Sequence, residues 1–434
     1  MDRRSVIVFM SNSGESLPIV WRMKREGADV DIYIHNPQYR NNYDGIMPKI
    51  SFSGLKKTLR NADTVIFDIT HPNEKSKQDI ALLKTFGLKV GSKSVFGPLA
   101  DKLQKDHKVI GASTITEELE LDRKKGLELA QRIGFAIPEH HEFKSLKDGA
   151  NFLKGKKDLW VFKPENNQDL DLTYVEKFAG ELLTKILDEY SRRMDKCDYL
   201  LQKKIEGTEV STEVWVNSRG PVHFNQTIES KRLMDADLGP AIGSQSNTVY
   251  KIEDGLLTEL LTKMAAYLSK EGYIGPCDAN VIMADRPYFL EWSPRMGWDA
   301  LYCLLSLVKG KLSDFFTKDF EVEFHNGFAA SQRLSIPPYP YGTPKLRTLY
   351  AKDVSIMGKL KDYPLWWAQD VYEGLKCAGA DGILGVVSAR GKSLEEAWGR
   401  VYNAIKKVKV CSYPQYRTDG LSVARKRLEK LNAA

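Results

Sequence analysis

The residues best placed to do chemistry lie on two short segments, YFLEWSPRMGWDA (288–300) and GYIGPCDANVIM (272–283). The first reads as an apolar strand ending on a carboxylate, Glu291, with Ser293 and Arg295 close behind. The second carries Asp278 and Asn280 at alternate positions, hence on one face of a strand. Two neighbouring strands that bring such groups into one pocket make an oxygen-rich site suited to Mg²⁺ (or Mn²⁺). Magnesium takes one or two carboxylates and completes its shell with substrate phosphates and water. Lys163 ends the strand DLWVFKP and faces the loop PENNQDLDLTY, where it can meet a phosphate as a point charge. In LLQKKIEGTEVS a strand precedes a glycine turn; its edge groups can pair with an adenine rim, and Glu209 past the turn can accept ribose hydroxyls. The segment IESKRLMDADLGPAIGSQS gathers Lys231, Arg232, Asp235 and Asp237. That mixture suits a small zwitterion or an acyl phosphate, and a solvated loop explains it equally well. Singly, each feature is ordinary, because strand-end lysines and EGTE turns are common on surfaces.

The elements that must hold these groups follow from the apolar pattern. SVIVFM (5–10), VDIYI (30–34), TVIFDI (64–69) and LKVG (88–91) read as short buried strands, with LPIVWRMKREG and KQDIALLKTFG as helices between them. That alternation marks a parallel α/β unit over about the first hundred residues. An amphipathic helix is expected over 120–134, ending at Gly134, then a strand at IPEHHEF and a helix from Ser145 at its N-cap. After a helix around 176–193, YLLQKKIEGTEVSTEVWVN reads as strand–turn–strand, 225–247 as a polar loop and 256–270 as a helix. The Pro- and Tyr-rich stretch within 326–350 suggests a boundary. Beyond it, SLEEAWGRVYNAIKKV forms a helix with Ser393 and Glu396 as a capping box.

Composition bounds the rest. A chain of 434 residues with 42% hydrophobic and 28% charged residues is ordinary for a soluble protein of several domains. No apolar run approaches the roughly 18–20 residues that span a bilayer, and VIVFM is too short for a signal-peptide core. Five scattered cysteines (Cys197, Cys277, Cys303, Cys377, Cys411) without a CxxC suggest reduced thiols in a cytoplasmic setting and no zinc site. The net charge of +7 would favour phosphorylated substrates or nucleic acid, but the basic residues are dispersed and no nucleic-acid motif is present. The oligomeric state is left open, a monomer being compatible with the chain.

The order of these segments resembles the ATP-grasp ligases, and within them the phosphoribosylamine–glycine ligases. FLEWSPRMGWDA is similar to that family's LEFNARFGDPE, and SKRLMDADLGPAIGS to its HKRxxDxDxGPNTGG. GADGILGVVSARGKSLEEAWGRVYNAIKKV…QYRTDG matches the C-terminal domain, and Gly14 and Trp21 keep the spacing of GSGGREHALAWKL. The resemblance implies an α/β ATP-grasp fold: an N-terminal domain over 1–103, an ATP-grasp domain over 104–325 with a lid at about 123–197, and a C-terminal α+β domain over 326–434. It implies that ATP phosphorylates a small carboxylate, glycine in the family, and that an amine attacks the acyl phosphate to give an amide, ADP and phosphate. Carried over by position, Lys125 and Lys163 bind nucleotide phosphates, Gln202, Lys203 and Ile205 line the adenine hinge, and Glu209 takes the ribose. Glu291, helped by Asp278 and Ser293, holds the metal, while Arg295, Lys231 and Asp237 act on the reacting groups.

The pattern also departs from the family. Ser293 stands where a metal-binding Asn is expected, and the lid loop PENNQDLDL has no glycine. The acceptor-phosphate loop GSGGREH becomes Ser11-Asn12-Ser13-Gly14-Glu15-Ser16-Leu17, losing an Arg and gaining a carboxylate that repels phosphate. The family's Pro-Glu pair is missing from FDITHPNEK, where Asp68 and His71 lie near the spot. These changes suggest a changed acceptor, for instance in a virus-type ligase that joins glycine or another amino acid to an aminated nucleotide or DNA base. The alternatives are a catalytically weakened nucleotide-binding protein and a nucleic-acid binder.

Overall fold

Alternation along the first strands sends their side chains to two separate cores. The computed structural model describes residues 5–71, 76–91, 94–164, 173–190, 198–357 and 366–433. Strands Val6–Ser11 (β1), Asp29–Ile34 (β2), Thr64–Phe67 (β3) and Lys108–Ile110 (β4) form a parallel sheet in the order β2-β1-β3-β4. Ile7 and Phe9 pack with Leu17, Val20 and Met23 of the Leu17–Arg25 helix, whereas Val8 and Met10 pack with Leu55, Val65 and Leu99 on the other side. A strand buried on both faces needs an unbroken apolar run, which is why VIVFM is legible. The strand expected at 88–91 does not form. Gly87 and Gly91 take φ of 64° and 114°, outside the β region, and Val90 is 44% exposed. The fourth strand is instead the three-residue KVI of β4.

A second sheet stands by itself. Strands His140–Phe143 (β5), Trp160–Pro164 (β6), Tyr174–Val175 (β7) and Tyr199–Lys203 (β8) pair antiparallel in the order β5-β8-β6-β7. Trp160 and Phe162 of β6 and Tyr199 and Leu201 of β8 point to a private core with Leu146, Ala150 and Leu153 of the Leu146–Leu153 helix. Lys163 therefore projects from the opposite face. Ser145 has the extended backbone of an N-cap but makes no side-chain cap bond. The helix expected around 176–193 begins at Glu181 and runs on to Tyr190, while the loop 165–172, residues 191–193 and Cys197 lie outside the described residues.

The third sheet has eight antiparallel strands. They are Thr208–Asn217 (β9), Gly220–Met234 (β10), Leu238–Ile252 (β11), Gly275–Met283 (β12), Pro287–Ser293 (β13), Phe328–Ser335 (β14), Trp366–Ala368 (β16) and Ile383–Gly391 (β19), in the order β13-β12-β9-β10-β11-β14-β19-β16. Two ribbons pair Ile356–Met357 (β15) with Lys409–Val410 (β20) and Val371–Tyr372 (β17) with Lys376–Cys377 (β18). The polar loop expected over 225–247 is the β10–β11 hairpin, tipped by Asp235–Asp237. Asn225, Thr227, Glu229 and Lys231 alternate toward a polar cleft, so the apolar period that marks a strand is missing from the sequence. Strand β14, inside the expected boundary region, pairs with β11 on one side and β19 on the other.

The 120–134 helix is two helices, Thr114–Leu121 and Arg123–Ile133, broken at Asp122, whose side chain caps the second by accepting from Lys125 N. Gly134 closes it at φ 114°. This helix and Leu256–Lys270 cover the back of the large sheet through Val210, Val214, Ala279, Val281, Phe289 and Trp292. Ser393 caps the Leu394–Ile405 helix as expected, but Glu396 returns its carboxylate to Lys392 N rather than to Ser393.

Candidate active site

Register places the candidate residues on one face of the large sheet. Glu291 lies opposite Asn280, which lies opposite Ser211; Ser293 lies opposite Asp278, which lies opposite Glu213. The pairing skips Leu290, so β13 bulges there. The bulge lets Phe289 and Trp292, three residues apart, both enter the core while Glu291 opens to the cleft.

Charges on this face are arranged around Lys231. Its Nζ lies 2.7 Å from Glu209 Oε1 and 3.9 Å from Glu229 Oε2, and Asn280 Nδ2 donates to Glu209 at 3.0 Å. Lys231 holds the Glu209 carboxyl down at about 2, against the upward pull of burial. Burial also pulls Glu291 up, but Lys231, Lys163 and Arg123 outweigh it and keep its pKa below the ordinary value. Lys163 is pushed down to about 8 by burial and by Arg123, with Glu291 and Glu209 opposing. Glu291 thus lies in the field of Lys163, Lys231 and Arg123 together.

Deeper on the same face, Glu213 is raised to about 7 by burial, while Trp215 Nε1 donates to its Oε2 at 2.7 Å. Asp278 is raised well above the ordinary carboxylate range by burial and by Glu213. Its buried Oδ1 has no hydrogen-bond partner. A buried acceptor without a donor, beside a second carboxyl and within a strand of Glu291, fits a hard divalent cation. Ser293 stands beside Asp278 in the register, at the margin of that group.

Arg295 is aimed by Glu120, with Nη2 and Nε at 3.0 and 3.2 Å from its Oε1. Of the expected hinge residues, Gln202 is buried on β8, Lys203 pairs with Asp158 at 3.1 Å, and half-buried Ile205 sits in the four-residue link to β9.

Two expected residues are not brought here. Lys125 points to the outer surface, where its Nζ pairs with Glu118 Oε2 at 2.5 Å, because it follows the Asp122 cap on the exposed flank of its helix. Arg123, two positions earlier, lies beside Glu291 instead. Asp237 lies at the hairpin tip, where its carboxylate binds Arg417 Nη1 at 2.7 Å and Arg427 Nη2 at 3.3 Å. It is spent on tying β10–β11 to the C-terminal segment.

A cavity of about 190 Å³ adjoins the cleft at Arg295. Its lining includes the Ser13-Gly14-Glu15 turn, Asp299, Arg333, Asp370 and Asp381. Gly14 turns the chain at φ 87° and donates its N–H to Ser11 Oγ at 2.7 Å. Asp68, buried behind Glu15, accepts from Ser16 Oγ at 2.6 Å and is pushed up to about 7 by burial and by Glu15. Residues 72–75 of the FDITHPNEK segment lie outside the described residues. His71 and His35 both bond Asp79 Oδ1, at 2.8 and 2.7 Å, and among the described residues these three are the set whose ligand atoms come within 4.8 Å of one another. Asp79 also caps the Lys77–Thr85 helix through Ser76, a structural role.

Sequence reading missed Arg123, Glu120, Glu213, Glu229 and Arg333. Glu213 continues the alternation of Glu209 and Ser211, a signal that was present. Arg333 left none, since only its pairing with Asp299 at 2.8 Å, made across strands, reveals it.

A parallel sheet at the N-terminus, a small antiparallel sheet carrying Lys163 and a large antiparallel sheet carrying Glu291 together make the ATP-grasp fold. No protein-family model matches the sequence. Among solved structures, phosphoribosylamine–glycine ligase from Thermotoga maritima is similar with a TM-score of 0.68 and 19% identity, covering 95% of this chain and 100% of that one. Biotin carboxylase from Campylobacter jejuni, in complex with an ATP ligand, gives 0.62 and 12%, over 98% of this chain and 96% of its own. N5-carboxyaminoimidazole ribonucleotide synthetase from Thermotoga maritima gives 0.56 and 12%, over 94% and 100%. At these identities the likeness is one of fold. No helix among the described residues is long and apolar enough to cross a membrane.

Proposed function

We propose that the chain is an ADP-forming, ATP-dependent carboxylate–amine ligase that works as phosphoribosylamine–glycine ligases do, through an acyl phosphate. The observation that carries this reading is the convergence of Lys163, Arg123 and Lys231 on Glu291, across two separate sheets. Three cations from different elements around one carboxylate suit a triphosphate with its metal better than they suit any single structural ion pair. Glu291 and Asp278 would hold Mg²⁺, with Ser293 and Glu213 at its margin; when bound, the metal neutralises the phosphate oxygens. Gln202, Lys203 and Ile205 would border the adenine and Glu209 the ribose.

The chain's own part is positioning and charge. Lys163 and Arg123 hold the phosphates while Arg295, oriented by Glu120, faces the transferring group. A carboxylate oxygen of the donor acid, glycine or another small amino acid, attacks the γ-phosphorus, and the bond to the β–γ bridging oxygen breaks to release ADP. The acceptor nitrogen then attacks the acyl carbon, the C–O bond to phosphate breaks, and the nitrogen gives up a proton. Lys231, between Glu209 and Glu229, keeps the floor of the cleft close to neutral for the incoming acid.

The test is ADP and phosphate release from ATP, Mg²⁺ and a panel of amino acids and amines. Glu291→Ala is expected to lower metal-dependent turnover at least a hundredfold while nucleotide-induced thermal stabilisation persists in part. Stabilisation of the wild type by ATP with no turnover on any pair would replace this reading with that of a nucleotide-binding protein.

A further inference from the structure

We infer that the cavity beside Arg295 receives the amine acceptor, and that this acceptor is a donor-rich amine carrying no phosphate. The inference rests on the ligase reading above and specifies one of its substrates. Its ground is what the cavity leaves unsatisfied. Four carboxylates line it, from Glu15, Asp299, Asp370 and Asp381, against the two guanidiniums of Arg295 and Arg333. Both guanidiniums already have partners. Arg333 Nε donates to Asp299 Oδ2 at 2.8 Å and its Nη1 to Tyr339 Oη at 2.9 Å, while Arg295 is held by Glu120. The Asp370 carboxylate is taken up by the amides of Ala380, Asp381 and Gly382 at 3.0, 3.1 and 2.8 Å.

Three acceptor atoms remain. Glu15 Oε2, Asp299 Oδ1 and Asn42 Oδ1 are buried without a hydrogen-bond partner, and all three residues line the cavity. Asp299 and Asn42 are 1% and 3% exposed, so open solvent does not supply the donors. Buried acceptors of this kind call for a ligand that brings N–H and O–H groups. An ammonium or a hydroxyl-bearing amine brings donors of that kind. A phosphate monoester brings chiefly acceptors at neutral pH and would lie against the carboxyl of Glu15, on the turn after β1. The volume of about 190 Å³ admits a small molecule and not a nucleic-acid segment.

The experiment uses matched amines with the full-length protein. Glucosamine and ethanolamine are titrated calorimetrically against glucosamine 6-phosphate and phosphoethanolamine, with spermidine as a polycation and inorganic phosphate as the bare anion. Each is also added to ATP, Mg²⁺ and glycine with ADP release as readout. An unphosphorylated amine is expected to bind at least tenfold tighter than its phosphorylated partner. Glu15→Gln is expected to weaken that binding about tenfold, as loss of a charged hydrogen bond does, with thermal stabilisation by ATP retained. Tighter or equal binding of the phosphorylated member overturns the inference, as does a panel in which no amine binds below 10 mM. Amine binding unchanged in Glu15→Gln overturns it too. The wild-type comparison needs no variant and stands even if Glu15→Gln fails to fold. The two readings separate: selective amine binding without ADP formation on any acid defeats the ligase and leaves the cavity's preference in place, whereas ADP formation with a preference for phosphorylated amines defeats only this inference.

Discussion

Lys163 shows how one side chain can report on the whole cleft. Burial and Arg123 bring its pKa to about 8, whereas a free lysine titrates near 10.4. The group is depressed in the free protein, so it is charged below pH 8 and neutral above. Binding a triphosphate restores the charge and takes up a proton at high pH. The Kd for ATP is therefore expected to weaken roughly tenfold between pH 7 and pH 9, following one-proton linkage. Lys163→Arg, whose side chain stays charged throughout, should flatten that profile. Calorimetry at three pH values checks it, and a flat wild-type profile would remove Lys163 from the phosphates.

Among the elements, the β10–β11 hairpin departs furthest from what its sequence suggests. Its tip is fastened from afar: Arg417, 0% exposed, bonds Asp237 and Asp419 and donates to the carbonyl of Arg232. Breaking such a set costs most when the charge left behind is buried; here the carboxylates left behind are 46% and 20% exposed, which lowers the cost to about 1–3 kcal/mol. Arg417→Met leaves Asp237 with Arg427 alone, and should therefore lower stability by about 1–3 kcal/mol in chemical denaturation and weaken nucleotide binding only through that loss. The strands of the parallel sheet were legible because two-sided burial writes continuous apolar runs. The Glu291 and Asp278 strands were legible because short apolar stretches carried lone carboxylates. The hairpin was not, because its cleft-facing side is polar and its partners lie some 180 residues away in sequence. The order of Lys125 and Arg123 could not be ranked either: the break at Asp122 rotates one toward solvent and the other toward Glu291, and a continuous amphipathic pattern hides that break.

At the scale of the molecule, the large sheet runs unbroken from β13 to β16 and so joins the Glu291 region to the C-terminal strands. A fragment ending at residue 325 would leave the edge of β11 bare where β14 now pairs, and unpaired edges recruit other chains. Such a fragment is expected to aggregate in light scattering, whereas the full chain stays dispersed. It would also lack Arg333, Asp370 and Asp381 from the acceptor cavity. The resemblance read from the sequence located the fold well, since motifs in the right order constrain topology. It said little about the cavity, whose walls come from segments that no short motif spans.

That division of labour has a consequence for how such proteins diversify. On the ligase reading proposed above, ATP would be handled by the small β5–β8 sheet and by strands β9 to β13, while the walls of the chamber beside them come chiefly from the β1 turn and the far C-terminal segments. If that reading holds, a lineage can exchange its guest molecule by rewriting a handful of wall side chains while the neighbouring strands are inherited untouched.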